Sequence, residues 1–235
     1  MRKREARRRR ADDTGRRGRR LPERRCRGDH DDAGDAPLHD EPVADDEMVT
    51  CVRAAQHAPS GGNLQPQQYV VVTNPGRRAA VAHWYGRAFR RSDAVQVEPA
   101  HRDADDASTW RRSRASAHHL ADSPAIVLFL QPVVDWVDRD RTGSMDVGRI
   151  DASVYPAVQN ICVADRSFGL ATVLTTVIRI HGAEVLDELG VPPGHFEIAA
   201  LVPVGRPAGQ FGRAPRRRAD TVTHWDRWQG RRQAQ

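Results

Sequence analysis

Apolar residues recur at helical spacing soon after residue 40. Met48, Val52 and Ala55 follow the acidic residues 45–47, and acidic side chains stabilise a helix N-terminus through the macrodipole. The pattern predicts a first helix that ends near His57.

A second helical pattern runs from Ile150 to Phe168. Val154 and Val158 fall on one side of it, and Gly169 follows at the position where a helix often closes with a left-handed residue. This segment is predicted to be a long helix with one buried face. Two shorter helices are predicted over residues 77–87 and 183–189, and a further short one over residues 115–121.

Runs of apolar and β-branched residues predict strands over residues 69–73, 125–130 and 196–204. Residues 221–223, Thr-Val-Thr, are predicted to add an edge strand to a neighbour. The polar stretches 90–112 and 135–149 predict a mobile region and a loop. Strands mixed with helices, without a βαβ phosphate fingerprint or a repeat, indicate an α+β fold.

The chain's 235 residues allow one domain with a sizeable core. Its net charge of +6 is uneven, because residues 1–28 hold 14 Lys or Arg and 4 Asp or Glu, whereas the remainder is mildly acidic. Nucleic-acid binding is therefore not predicted for the body. It stays an alternative for the arginine-rich arm, which could bind phosphate backbones.

The sequence also bears on location. No run reaches the roughly 18 apolar residues that a membrane helix needs, and the basic start lacks the apolar segment of a signal peptide. Cys26, Cys51 and Cys162 lie far apart without metal-ligand spacing. We therefore expect a cytoplasmic protein without a metal site, whose cysteines act as small apolar residues.

The most informative segment lies between the first helix and the first strand. Residues 58–68 read Ala-Pro-Ser-Gly-Gly-Asn-Leu-Gln-Pro-Gln-Gln. Its glycines let the backbone approach a ligand, and Ser60, Asn63 and Gln65 supply uncharged donors and acceptors. An ordinary helix-to-strand connector is the alternative interpretation.

This segment resembles the Pro-Ser-x-x-Asn-x-Gln-Pro segment of the nitroreductase family, and residues 151–176 and 204–228 resemble that family's central helix and closing segment. The resemblance implies a central, mostly antiparallel sheet flanked by helices, in a homodimer with an exchanged terminal segment. It also implies FMN as cofactor and NAD(P)H as co-substrate, with a nitro-aromatic, quinone or related acceptor. A flavin-binding protein without turnover is the first alternative, and a nucleic-acid-associated protein acting through the arm is the second.

The resemblance also implies which residues bind the cofactor. They are Pro59, Ser60, Gly61, Asn63 and Gln65 near the ribityl chain and ring, Leu174 and Thr175 near flavin N5, and Arg216 and Arg217 near the phosphate. For the turn that contains Leu174 and Thr175, the alternative interpretation is a buried strand end. For Arg216 and Arg217, the alternative is a solvated run of charges. No protein side chain is assigned a catalytic role, because a flavin carries the redox chemistry itself.

Residues outside these segments receive structural interpretations. Adjacent His118 and His119 point apart on a helix and are expected to form a surface pair. Asn160 is expected to be a buried, hydrogen-bonded residue. Trp225 and Trp228 are expected to be packing anchors, with a contact across the dimer as one version.

Residues 1–38 are expected to be a disordered arm, with the cofactor-binding domain over residues 39–235. The family has an Arg-x-x-Arg-type motif before its first long helix, whereas residues 31–38 read Asp-Asp-Ala-Gly-Asp-Ala-Pro-Leu. GC-rich codons for these residues, read one nucleotide later, give Thr-Thr-Arg-Ala-Thr-Arg-Arg. The hypothesis is therefore a frameshift, with the true frame resuming near His39.

Overall fold

The computed structural model describes residues 38–95, 119–133, 150–209 and 216–230. The arm before Leu38, most of the polar stretch 90–112, the loop 135–149 and His118 lie outside the described residues. Interpretations that rest on those segments, including the domain boundary near residue 38, stay predictions.

Four antiparallel strands form one sheet in the order β1-β2-β4-β3. The strands are β1 Gln68–Val72, β2 Ala125–Pro132, β3 Ala171–Thr172 and β4 Phe196–Gly205. The predicted α+β fold with an antiparallel sheet is confirmed, and each strand predicted over residues 69–204 lies within about one or two residues of its expected place.

Five α-helices are present in the described part of the chain: α1 Asp45–Gln56, α2 Pro75–Val95, α3 Tyr155–Ser167, α4 Gly182–Glu188 and α5 Ala219–Val222. Short 3₁₀ helices cover Gly61–Asn63, Leu120–Asp122, Ile150–Ser153 and Val177–His181. None of the helices in these described segments is long and apolar enough to cross a membrane.

Two helices differ from their predicted lengths. Helix α2 extends to Val95, beyond the predicted end at residue 87, so the start of the polar stretch is helical. The predicted helix over residues 150–168 is divided, because Pro156 lies in the first turn of α3, where a missing N–H and a fixed φ favour a helix start. Gly169, with φ of 74°, closes α3 as predicted.

The strand predicted over residues 221–223 is wrong. Thr221 and Val222 belong to α5, and the Thr221 hydroxyl donates to the Arg218 carbonyl at 2.7 Å. Asp220 lies in the first turn of α5, where its charge favours the helix, and it pairs with Arg218 at 2.7 Å.

Strand β2 is continuously apolar because helices cover both faces of the sheet. Val127 and Phe129 point into a core shared with α1 and α3, whereas Ile126 and Leu128 point into a core shared with α2 and α4. Successive residues of a strand face opposite sides of the sheet, so a strand that is covered on both faces is apolar at nearly every position. Strands β1 and β3 are the two edges of the sheet. The loop between α1 and β1 therefore lies at one edge, and the turn after β3 lies at the other.

Candidate functional site

The loop between α1 and β1 has an uncommon backbone. Gly62, Asn63 and Gln65 have positive φ values of 56°, 56° and 47°. Glycine adopts this region without strain, and asparagine does so more readily than most residues, whereas glutamine needs support. The Gln65 N–H donates to Ser60 Oγ at 2.9 Å, so the hydroxyl of Ser60 stabilises this conformation.

A distant serine holds the glycine end of the loop. The Gly61 N–H donates to Ser153 Oγ at 3.2 Å. Ser153 closes a 3₁₀ helix anchored by the buried side chain of Asp151, which accepts a 2.5 Å hydrogen bond from Gln131 Nε2 on β2. Sequence reasoning missed Ser153, because 92 residues separate it from Gly61 and no local pattern marks it.

The polar side chains predicted in this loop converge. Gln65 Nε2 lies 3.3 Å from Asn63 Oδ1, and its Oε1 accepts from Gln56 Nε2 at 3.2 Å. Asn63 and Gln65 are exposed, and between them Leu64 is 75% exposed. The loop therefore presents uncharged hydrogen-bonding groups beside an apolar surface, which is a suitable combination for a planar heterocycle with polar edges.

Leu174 and Thr175 form a turn with one exposed and one anchored residue. The Thr175 N–H and C=O both pair with Leu201 at 2.9 Å, so its backbone continues the sheet beyond β3. Its hydroxyl lies 3.2 Å from the Tyr85 hydroxyl and accepts from the Val177 N–H at 3.4 Å. The side chain of Leu174 is 46% exposed and is the part of this turn open to a ligand.

The loop and the turn lie at opposite edges of the sheet. The residues Val70, Leu128, Leu201 and Thr175 form one row across it. Three strand spacings separate the ends of this row, a distance of about 14 Å. The structure therefore brings Ser60, Gly61, Asn63 and Gln65 together in the loop that precedes β1, whereas Thr175 lies at the opposite edge of the sheet.

The C-terminal candidates are solvent-exposed. Arg216 and Arg217 precede α5 on the surface, and neighbouring Arg218 is committed to Asp220. Trp225 and Trp228 are 44% and 76% exposed, so their predicted role as packing anchors is wrong within one protomer. The version in which they pack across a dimer stays a prediction.

Two other interpretations are tested directly. Asn160 is half-buried, and its Nδ2 donates to the Ala54 carbonyl at 3.2 Å, which confirms a structural role in joining α3 to α1. His119 is exposed and lies 3.0 Å from Asp122, as expected of a surface residue.

A buried acid lies between α1 and α3, away from the loop. Asp165 is fully buried, and burial raises its pKa to about 6, although the Cys51 thiol beside it acts in the opposite direction. Burial and the neighbouring carboxyl likewise raise the pKa of Cys51. Cys51 is thus a buried, neutral thiol, in agreement with its predicted apolar role.

Comparisons with known proteins found a family model, a curated relative and solved structures that are similar to this chain. The model of the Nitroreductase family matches residues 37–206. An FMN reductase [NAD(P)H] of Bacillus subtilis (strain 168) is 25% identical over 185 residues, which are 79% of this chain. The chain spans 66% of the length of that relative.

Solved structures show the same fold at low identity. Nitroreductase A from Vibrio parahaemolyticus superposes with a TM-score of 0.63 at 18% identity, covering 87% of this chain and 76% of that one. A BluB-like flavoprotein from Clostridium difficile 630 gives 0.63 at 17% identity, covering 81% and 93%. An iodotyrosine deiodinase bound to FMN and 3-iodo-L-tyrosine gives 0.60 at 18% identity, covering 81% and 92%.

Proposed function

The chain belongs to the nitroreductase family, and we propose that it is an FMN-dependent oxidoreductase that uses NAD(P)H to reduce a small-molecule acceptor. The B. subtilis relative is an FMN reductase [NAD(P)H], and one structural neighbour holds FMN. FMN, when bound, supplies the two-electron chemistry that protein side chains lack. The observation that carries the proposal is the loop from Ser60 to Gln65, with its left-handed backbone and exposed, uncharged polar groups.

The protein's own residues would bind and orient the cofactor. Ser60 fixes the backbone of the loop, Gly61 allows a close approach, and Asn63 offers its amide to a polar edge of the flavin ring. Exposed Leu64 and Leu174 provide apolar contact for the ring faces. These groups fit the uncharged parts of FMN.

We assign the phosphate of FMN to Arg216 and Arg217. A guanidinium group suits phosphate because its planar fork donates two hydrogen bonds at once. Both side chains are exposed, and both residues follow β4 in the chain. The residues at 31–38 offer no arginine for this purpose.

We further propose a homodimer in which two copies complete each site. The loop precedes β1 and the turn at Leu174 follows β3, which are the two edge strands of one sheet, and we infer that a single copy does not surround one flavin with both. Exposed Trp225 and Trp228 supply the apolar surface that a second copy would cover. Dimers with two-fold symmetry are the commonest homo-oligomers, and such a dimer would place the loop of one copy beside the turn of the other.

A nitro-aromatic compound or a quinone is the proposed acceptor class. Both are flat and poorly basic, and both accept two electrons without a protein nucleophile. In keeping with this, the Ser60 oxygen accepts a hydrogen bond from the Gln65 N–H and is given a role in the loop's conformation, with no role as a nucleophile.

Absorbance and NADPH oxidation by the purified protein test the proposal. A yellow protein with flavin bands that oxidises NADPH faster when a nitro-aromatic is added is the expected result. A yellow protein inert toward NADH and NADPH would favour the flavin-binding protein without turnover. Colourless protein that binds DNA in a salt-sensitive manner, and loses binding when residues 1–28 are deleted, would favour the nucleic-acid alternative.

A further inference from the structure

Four side chains form a line of hydrogen bonds from β1 to the tip of the loop. The Tyr69 hydroxyl donates to Gln56 Oε1 at 3.1 Å, and Gln56 Nε2 donates to Gln65 Oε1 at 3.2 Å. Gln65 Nε2 in turn donates to Asn63 Oδ1 at 3.3 Å. We name this line the amide relay.

The relay has a direction, because each amide has one accepting and one donating end. Gln65 Nε2 also lies 3.5 Å from the Asn63 main-chain carbonyl, which can only accept. That carbonyl fixes the donating end of Gln65 toward Asn63, so Oε1 of Gln65 faces Gln56. The same logic then makes Gln56 a donor to Gln65 and an acceptor from Tyr69.

The direction determines what Asn63 offers to a ligand. Its Oδ1 is occupied by Gln65, and its Nδ2 has no hydrogen-bond partner among the described residues. The exposed end of the side chain is thus the donating end. A group that binds there must be an acceptor, such as a carbonyl oxygen or an unprotonated ring nitrogen.

We propose that Gln56 and Tyr69 are positioning residues that hold Asn63 as a hydrogen-bond donor toward the acceptor edge of the bound flavin. The inference rests on the proposed function for the identity of the ligand. Gln56 belongs to α1 and is separated from Asn63 by Gln65, so it acts on the ligand only through the relay.

Replacing Gln56 with glutamate should reverse the relay. An ionised carboxylate only accepts, so Gln65 must turn its NH₂ group toward residue 56 and present Oε1 to Asn63. Asn63 would then turn its own NH₂ group inward and leave Oδ1 facing the ligand. Two acceptors would meet at the site. Gln56→Met has nearly the same size but breaks the relay without reversing it.

The dissociation constant of FMN, measured by fluorescence quenching, tests this. We expect Gln56→Glu to weaken binding about ten- to a hundredfold at pH 8, and Gln56→Met by less than about fivefold. The matched control is Gln68→Glu, which adds the same charge at an exposed position beside the loop but outside the relay, and it should match the wild type.

The pH dependence of FMN binding distinguishes a reversed relay from a packing defect at residue 56. A protonated carboxyl can donate again, so the Gln56→Glu defect should shrink as the pH falls from 8 toward the ordinary pKa of glutamate, about 4.3. Equal dissociation constants for Gln56→Glu and Gln56→Met at both pH values would overturn the proposal.

A ligand-free measurement keeps this test distinct from that of the function. In the NMR spectrum of the apoprotein, the Gln65 side-chain NH₂ protons should show nuclear Overhauser contacts to Asn63. Contacts to Gln56 alone would overturn the relay. Wild-type protein that binds no FMN would refute the proposed function, whereas the NMR result would still decide the direction of the relay.

Discussion

Asn63 and Gln65 show how single residues shape the candidate site. Both have positive φ, which costs free energy for a residue with a side chain. A hydrogen bond from the Gln65 N–H to Ser60 Oγ and one between the two side chains offset that cost. The chain therefore uses strained positions at the loop tip where a ligand can contact both backbone and side chains.

Ser153 provides the first prediction at this scale. Ser153→Ala removes the acceptor of the Gly61 N–H, and the loop should lose part of its preorganisation for FMN. A hydrogen bond of this kind contributes about 0.5–1.5 kcal/mol, so the dissociation constant should rise roughly two- to tenfold. Ser153→Thr, which keeps the hydroxyl, is the control. Unchanged binding in Ser153→Ala would show that the loop is held by its internal bonds alone.

Asp165 provides the second. The folded protein holds this carboxyl with a pKa of about 6 against an ordinary 3.8 because the group is buried. The folded state thus binds the proton more tightly than the unfolded state does. The resulting stabilisation is fully present below about pH 4 and is lost as the pH rises through 6.

We therefore compare Asp165→Asn with the wild type by urea denaturation. Between pH 4 and pH 8 the free energy of unfolding should shift in favour of the variant by about 2–3 kcal/mol, since one pKa unit corresponds to about 1.4 kcal/mol. Asp187→Asn, at an exposed aspartate of α4, should show no such trend. Parallel pH profiles for wild type and Asp165→Asn would mean that the carboxyl is ionised at no cost in the fold.

At the scale of elements, helix α3 begins and ends at residues with strong backbone preferences. Pro156 starts α3, and Gly169 ends it with φ of 74°. The turn after α3 then leads directly into β3 and the exposed Leu174. The position of that candidate residue therefore depends on where the helix stops.

Two glycine substitutions should have opposite effects. Gly169→Ala places a side chain in the left-handed region and should destabilise the protein by about 1 kcal/mol, although no described atom lies within 4 Å of the added Cβ. Gly86 lies inside α2, where the Cβ would be 3.5 Å from Arg90 Nη1, an ordinary contact. Gly86→Ala should stabilise by about 0.5–1 kcal/mol, since glycine is a poor helix former. Urea denaturation measures both, and equal signs would contradict the assigned helix end.

At the scale of the whole molecule, the sheet separates two groups of candidate residues. The loop lies at the β1 edge, and the turn at Leu174 follows β3 at the other edge. If each site combines the loop of one copy with the turn of the other, a damaged loop in one copy and a damaged turn in its partner fall in the same site, and the second site stays intact.

A mixing experiment tests this arrangement. Asn63→Leu and Leu174→Glu should each bind FMN at least about tenfold more weakly, because a buried polar group then lacks a partner or meets a charge. After exchange of subunits in an equal mixture, heterodimers contain one intact site, and about a quarter of all sites should regain normal affinity. No recovery after verified exchange would place each site within one chain.

The reading-frame hypothesis also belongs to this scale. Replacing residues 31–38 by the alternative-frame residues should strengthen FMN binding by several decades, because charge-assisted hydrogen bonds to phosphate contribute about 1.5–3 kcal/mol each. Fluorescence titration of both versions measures the difference, and resequencing of the gene tests the frame itself. Equal affinity would mean that this chain binds phosphate without the motif.

The sequence alone determined the elements whose cause is local. The helix start at residues 45–47, the helix end at Gly169 and the apolar strands predicted over residues 125–130 and 196–204 all follow from capping, backbone preference and periodicity. The composition and order of residues 59–65 also identified the loop as a candidate site, because they resemble the cofactor-binding segment of the nitroreductase family.

Only the tertiary structure decided which groups meet. Ser153 reaches Gly61 across 92 residues, and Tyr69 and Gln56 control the amide of Asn63 from two different elements. It also placed the turn at Leu174 on the opposite edge of the sheet from the loop, and it made residues 219–222 helical where a strand was predicted. Local preferences fix the conformation of a segment, but strand order and packing fix its neighbours, and these depend on contacts between residues far apart in the chain.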